Sequence, residues 1–359
     1  MAFTGVRNYS HAQPDKTGIL ITNLGTPDAP ETGAVRRYLR EFLSDHRVVE
    51  IPKAIWWFIL NGIILLLRPA RSAKNYRTVW TERGSPLLYH TADQCAAIRQ
   101  YMQGRYGDDV VVEFAMRYGN PAITDVLQKM QDQGVRRLLV LPMYPQYSAT
   151  TTASTFDAIA HDFAQRRWIP ELRFINHYHD FPPYIEAMAE HIEAFQKING
   201  SPEKLVLSYH GIPKRNLLEG DPYHCECYKT SRLLAERLGL PREQVLTTFQ
   251  SRFGKQEWLK PYTDATMKQL GAEGVGSLQV FCPGFPADCL ETIEEIAEEN
   301  KHYFEEAGGK NFAYIPALNA EPHHIHALTA LLEQHLKGWH PLGNSDKELT
   351  VAEANAKGA

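Results

Sequence analysis

Apolar, β-branched runs recur along the chain and alternate with amphipathic stretches. They fall at 18–24, 110–118, 137–144, 171–178, 204–209, 245–250, 277–282 and 312–318. Leu138 to Leu141 and Leu205 to Leu207 are apolar at successive positions, so both faces need cover. That is the pattern of parallel strands with helices on each side. Between the runs, Asn120-Pro121 precedes a helical stretch at 122–131 and Lys260-Pro261 precedes another at 262–270. Proline suits the first turn of each. Gly134, Gly239 and Gly271 end helical runs, where a left-handed cap is expected. The pattern predicts an α/β chain that closes as one barrel or opens as two doubly wound, Rossmann-like sheets. Irregular spacing and the long insertion between the first two strands favour two open sheets. No internal repeat is visible, and the polar segment after Leu336 reads as a disordered tail.

One stretch breaks the pattern. Positions 54–67 are apolar except for Asn61 and include Trp56 and Trp57, with Arg68, Arg71 and Lys74 following. A spanning helix needs about 20 apolar residues. The segment is therefore a core helix, or an element lying at a bilayer surface or lining an apolar cleft.

Composition narrows the class. A length of 359 residues allows two domains, and 43% hydrophobic with 22% charged residues is ordinary for a globular protein. A net charge of −4 gives no cationic excess for a nucleic-acid partner. Five cysteines fit a reducing compartment better than a disulfide scaffold. The N-terminal residues lack the apolar core of a signal peptide, so a cytoplasmic protein is expected.

In open α/β sheets, ligands sit beyond the carboxyl ends of the strands. Those ends are aromatic and polar here, and neither G-x-G-x-x-G after the first strand nor a Walker-type glycine loop occurs, which disfavours a nucleotide enzyme. His210 ends a buried strand before the rigid turn Gly211-Ile212-Pro213. An imidazole there can accept a proton at neutral pH or ligate a divalent metal. Glu291, Glu294, Glu295 and Glu298 open a helix. By α-helical spacing Glu291, Glu295 and Glu298 share a face, able to pass cations inward or protons outward, although acids in a first turn also simply complement the helix dipole. Cys225-Glu226-Cys227 reads as loop cysteines, because a four-ligand site needs more donors. His323, His324 and His326 read as an incidental surface cluster.

Leu207-Ser208-Tyr209-His210-Gly211-Ile212-Pro213 resembles a signature of the ferrochelatases, and Ala287-Asp288-Cys289-Leu290-Glu291-Thr292 resembles their second. Segments 144–148 and 250–254, Trp258 and Leu318-Asn319 match further blocks, so the resemblance runs from about Gly18 to Leu336, on the Gram-negative bacterial pattern. Leu24 stands where some relatives have methionine, and Cys289 where many have histidine. The resemblance implies a lyase that inserts Fe(2+) into protoporphyrin IX to form protohaem, the final step of haem biosynthesis, and releases two protons. It implies His210 and Glu291 as catalytic and metal-contacting residues, with Glu295, Glu298 and Asp288 on a proton or metal route. Leu24, Tyr76, Tyr118, Tyr144 and Trp258 would pack the macrocycle, Arg68 and Arg71 would pair with propionates, and Arg117 and Ser251 would line the cleft. Iron is substrate. No prosthetic group or iron–sulfur cluster is expected, since the segment after Leu336 lacks cysteine.

The same resemblance implies two chelatase-like domains. The first spans 17–170 plus 309–337 and carries 54–67 as an apolar lip; the second spans 171–308; 1–16 and 338–359 are flexible termini. The lip suggests peripheral contact with the inner face of the cell membrane. Other tetrapyrrole chelatases, using cobalt or coproporphyrin, and a non-catalytic porphyrin or haem carrier are the competing classes.

Overall fold

A computed structural model describes residues 3–6, 10, 12–252, 254 and 256–339. Eight strands occur where the apolar runs lie: β1 (Lys16–Thr26), β2 (Val110–Gly119), β3 (Val135–Pro142), β4 (Glu171–Phe174), β5 (Lys204–His210), β6 (Val245–Gln250), β7 (Ser277–Phe281) and β8 (Asn311–Tyr314). They form two four-stranded parallel sheets, ordered β2-β1-β3-β4 and β6-β5-β7-β8. The central strands β3 and β5 are buried on both faces, as continuous apolar runs require. One core joins Ile19, Ile21, Leu139 and Leu141 of the first sheet to Leu205, Leu207 and Phe281 of the second. Separate clusters fill the outer face of each sheet.

The two sheets repeat one strand order, a structural repeat that identity of residues does not reveal. Each half ends on a short strand, an irregular segment and a helix beginning at proline: β4 before Pro182–Asn199, and β8 before Pro322–Leu336. The helices cross over. Pro182–Asn199 packs on Tyr223–Leu238, which follows β5, whereas Pro322–Leu336 packs on Pro86–Tyr106 and β3.

Two expected boundaries therefore move. β4 pairs with β3 in the first sheet, not in a unit starting at 171, and β8 pairs with β7 in the second sheet rather than rejoining the first. Only the helix after each strand changes sides. The expectation of flexible termini also shifts. Thr4 hydrogen-bonds to the backbone of Gln165 and Arg167, and Trp339 is buried, its indole donating to Glu171 at 2.8 Å beneath Arg173. Lys16 already belongs to β1, and positions 1, 2, 7–9, 11 and 340–359 of that expectation lie outside the described residues.

Gly271 is helical, and Gly274 takes the left-handed conformation instead (φ +77°). Gly271 is required by crowding, because a Cβ there would lie 2.4 Å from the Phe304 carbonyl oxygen.

The apolar segment is not a core helix. It belongs to a helical run, Lys53–Val79, long and apolar enough to cross a membrane by length and composition, yet its most apolar window is only 17% buried. Trp57, Phe58, Leu66 and Leu67 are each at least 60% exposed. Leu60 and Leu65 anchor its inner side against Tyr38, Tyr76 and Tyr118.

Candidate active site

Strand order reverses direction beside β1 in the first sheet and beside β5 in the second, which opens a crevice at their carboxyl ends. His210 is the last residue of β5, and the chain leaving β7 leads to Glu291. Both therefore flank the crevice of the second sheet. Gln250 connects them. It is the register partner of His210 across β5 and β6, and its side-chain amide donates to the Glu291 carbonyl at 3.0 Å. Its side-chain oxygen Oε1 accepts from Ser208 Oγ at 2.7 Å, which fixes the amide's direction.

His210 Nδ1 lies 2.6 Å from the Gly211 carbonyl oxygen. A carbonyl only accepts, so Nδ1 carries the hydrogen and Nε2 of the neutral ring keeps its lone pair. The turn that makes this bond needs glycine: a Cβ on Gly211 would meet the Gln250 carbonyl at 2.8 Å and the Trp258 ring at 3.2 Å. Trp258 thus lies against the turn that follows His210.

Glu291 begins a π-helix, Glu291–Asn300. Burial raises the pKa of Tyr76 most and the Glu291 charge comes next; at Tyr38 that charge follows burial and Tyr76, and it also adds to burial at the Cys289 thiol. The acid therefore faces the aromatic cluster beneath the lip, across the seam between the halves. Asn75 on the lip helix donates to Glu294 at 3.1 Å, a direct tie between lip and π-helix.

The π winding alters the expected acidic stripe. Hydrogen bonds from i to i+5 widen the helix, so α-helical spacing no longer selects the shared face. Glu299, not Glu298, stands beside Glu295: both line a cavity of about 120 Å³ with Ser251, Arg252, Asp264, Asn300 and Tyr303. Glu298 is exposed and lines no part of that cavity. Glu295 is held by the backbone N–H of Ser251 at 2.7 Å and by its hydroxyl. Ser251 reaches it twice from a left-handed conformation (φ +64°). Burial raises the Glu295 pKa to about 7 against those two hydrogen bonds. Glu299, exposed at the mouth, accepts from Tyr303 at 2.6 Å.

Other expected site residues divide. Asp288 does not lie free on a route; Thr292 (2.9 Å), Tyr314 (2.6 Å), Asn319 (2.8 Å) and the Ala317 N–H occupy its oxygens. Arg117 and Tyr118 are also committed elsewhere. Arg117 binds Asp45 at 2.6 Å and Ser154 Oγ at 2.7 Å, and Tyr118 donates to Asp45 at 2.7 Å. Burial opposes the Asp45 charge, but the Ser154 and Tyr118 hydrogen bonds, with Arg117 beside them, hold its carboxyl below the usual range. Leu24 packs on the aromatic cluster with Tyr76, and Tyr144 is half-buried at the end of β3. Arg68 is half-buried, its guanidinium pKa pushed down by burial, and Arg71 is exposed one turn on. Sequence reasoning missed Gln250, Asn75 and Glu299. Only Glu299 left a signal, as the neighbour of an acid already singled out.

Cys225-Glu226-Cys227 lies on the helix Tyr223–Leu238 rather than in a loop. His324 is no surface residue: it is fully buried, bonds the Asn319 carbonyl through Nδ1 at 2.7 Å, and burial lowers its pKa to about 4.

Two parallel doubly wound sheets with a histidine and a carboxylate at one crevice define a chelatase-like protein. SirB from Bacillus subtilis with Fe3+ has the same fold, with a TM-score of 0.51 at 14% identity over 90% of this chain and 97% of its own. A ferrochelatase family model matches residues 16–336. The ferrochelatase of Marinobacter nauticus is 64% identical over 97% of this chain and 94% of its own length. That of Alcanivorax borkumensis is 65% identical over 95% and 100% respectively. The chain belongs to the ferrochelatase family.

Proposed function

We propose that His210 and Glu291 carry out ferrous-iron insertion into protoporphyrin at the crevice of the second sheet. The protein is a lyase of haem biosynthesis: Fe(2+) and protoporphyrin IX give protohaem and two protons. The observation that carries the residue assignment is the convergence of His210, through Gln250, and Glu291 at one crevice facing the aromatic wall. Two N–H protons must leave the macrocycle as iron enters, and both compete for the same four nitrogens. The Nε2 lone pair of His210 is the base, pre-oriented by its Nδ1 bond to Gly211. Glu291 assists deprotonation or orients the incoming cation. Glu295, with a pKa of about 7, receives a proton near neutrality and passes it through the 120 Å³ cavity to Glu299.

Leu24, Tyr76, Tyr144 and Trp258 form the apolar grip on the ring, and Arg68 and Arg71 meet its propionates. A site that bends the ring exposes nitrogen lone pairs to one face and so binds the transition state better than the flat substrate. No iron–sulfur cluster is assigned. The exposed face at Trp57, Phe58, Leu66 and Leu67 suits peripheral contact with a bilayer, from which a poorly soluble substrate is drawn. Anaerobic incubation with Fe(II) or Co(II) and protoporphyrin or coproporphyrin, followed by absorbance, tests the reading. Haem should form fastest from Fe(II) and protoporphyrin. No rate above the uncatalysed one would indicate a carrier, and preference for coproporphyrin or cobalt would indicate another chelatase.

A further inference from the structure

Glu226, at the centre of the Cys-Glu-Cys motif, points inward. It is 6% exposed, and two histidines from the segment after β4 converge on its carboxylate. His177 Nδ1 lies 2.7 Å from Oε1, and His179 Nδ1 lies 3.3 Å from Oε2. The backbone N–H of Tyr147, from the segment after β3, also donates to Oε2 at 2.7 Å. One donor atom from each of the three side chains can be chosen so that all lie within 4.8 Å of one another. His179 is 4% exposed, and its Nδ1 is buried without a hydrogen-bond partner among the described residues. Its other nitrogen faces the carboxylate of Asp180 at 3.9 Å.

A single histidine on a buried glutamate is an ordinary ion pair. Two imidazoles presenting the same ring nitrogen to the two oxygens of one carboxylate form a donor set. Ligand atoms about 2.0–2.1 Å from a tetrahedral zinc ion lie about 3.3 Å apart, so donors within 4.8 Å of one another must draw together by up to about 1.5 Å to close around an ion. Two nitrogens and one carboxylate oxygen match a borderline divalent ion rather than calcium or magnesium. Asp180 lies behind the His179 ring but is bound by Lys229.

We propose that His177, His179 and Glu226 form a second metal site, taking a divalent transition ion of the zinc class with water in the fourth position. The site is independent of the insertion chemistry at His210 and Glu291. It joins the segments after β3 and β4, in the first sheet, to the helix after β5, in the second, so an ion there clasps the two halves together.

The test uses the metal-free full chain, dialysed against graded zinc at neutral pH. Bound metal is measured by mass spectrometry, and melting temperature is recorded with and without zinc. His210→Ala serves as the background, so that ions at the insertion site contribute least. In that background, His177→Ala and Glu226→Gln should each weaken zinc binding roughly tenfold or more. They should also abolish the rise in melting temperature that zinc produces in the His210→Ala parent. His177 is half-exposed, so its removal does not threaten folding. Zinc affinity and thermal shift unchanged in both variants would overturn the proposal, as would a parent that binds no zinc.

Discussion

The two halves share a strand order but use their carboxyl ends differently. At the first sheet, the ends of β1, β2 and β3 present aromatic and aliphatic surface, and the charged groups there are locked together, Arg117 with Asp45 and Ser154. At the second, the corresponding ends carry His210, Gln250, Ser251 and the acids of the π-helix. On the proposed reading, the first half holds a flat apolar ring and the second, with its titratable groups, reacts with it.

If the division of labour is right, His210→Ala should have the largest effect, a loss of about 10³-fold in insertion rate with porphyrin binding retained. Near-normal turnover, followed by haem absorbance, would remove the base from the second half. Glu291→Gln should lower the rate about 10²-fold, and a value within twofold of the parent would reduce it to a helix-start residue. In the first half, Arg117→Ala should act on the fold instead. It leaves Asp45 to the Ser154 and Tyr118 hydrogen bonds and costs about 2 kcal/mol in urea denaturation, the loss of one hydrogen bond to a charged group. A raised KM for porphyrin without lost stability would return Arg117 to the cleft surface.

Glu295 gives a smaller, pH-dependent signature. Its folded pKa of about 7 lies above the ordinary 4.5, so between those values the folded chain keeps a proton that the unfolded chain has released. That contribution to stability falls as pH rises through this window and levels off above it. Glu295→Gln should therefore gain melting temperature relative to the parent from pH 4.5 to 7 and show no further relative change beyond. A constant difference across the window would mean that the carboxyl is not held protonated. Smallest of all, Phe58→Ser with Leu67→Ser should reduce sedimentation with anionic vesicles a few-fold while leaving turnover of detergent-dispersed porphyrin alone. Unchanged sedimentation would detach the lip from any membrane role.

Legibility followed the range of the interaction. The strands were readable because burial on both faces leaves continuous apolar runs such as Leu205 to Leu207. His210 was readable because a strand end and a rigid turn are local. Glu299 was only half-readable: it lies four residues after Glu295, a spacing that makes neighbours on a helix, but the cavity the two share is built by residues from β6 and beyond. Asp288 looked like part of the acidic route because its four donors come from Thr292, Tyr314, Ala317 and Asn319, three of them far along the chain. The sheet that β8 joins depends on hydrogen bonds that a four-residue strand does not advertise.

The crossed helices carry a consequence for how such a chain is made. Pro322–Leu336, the last helix among the described residues, covers Pro86–Tyr106 and β3, elements formed near the start of the chain. During synthesis the first sheet therefore leaves the ribosome with part of its inner face bare, and it stays bare until almost every residue has emerged. Neither half has a version of itself that is finished early. A chain stopped even a few turns short leaves an apolar face open in its older half, where aggregation begins.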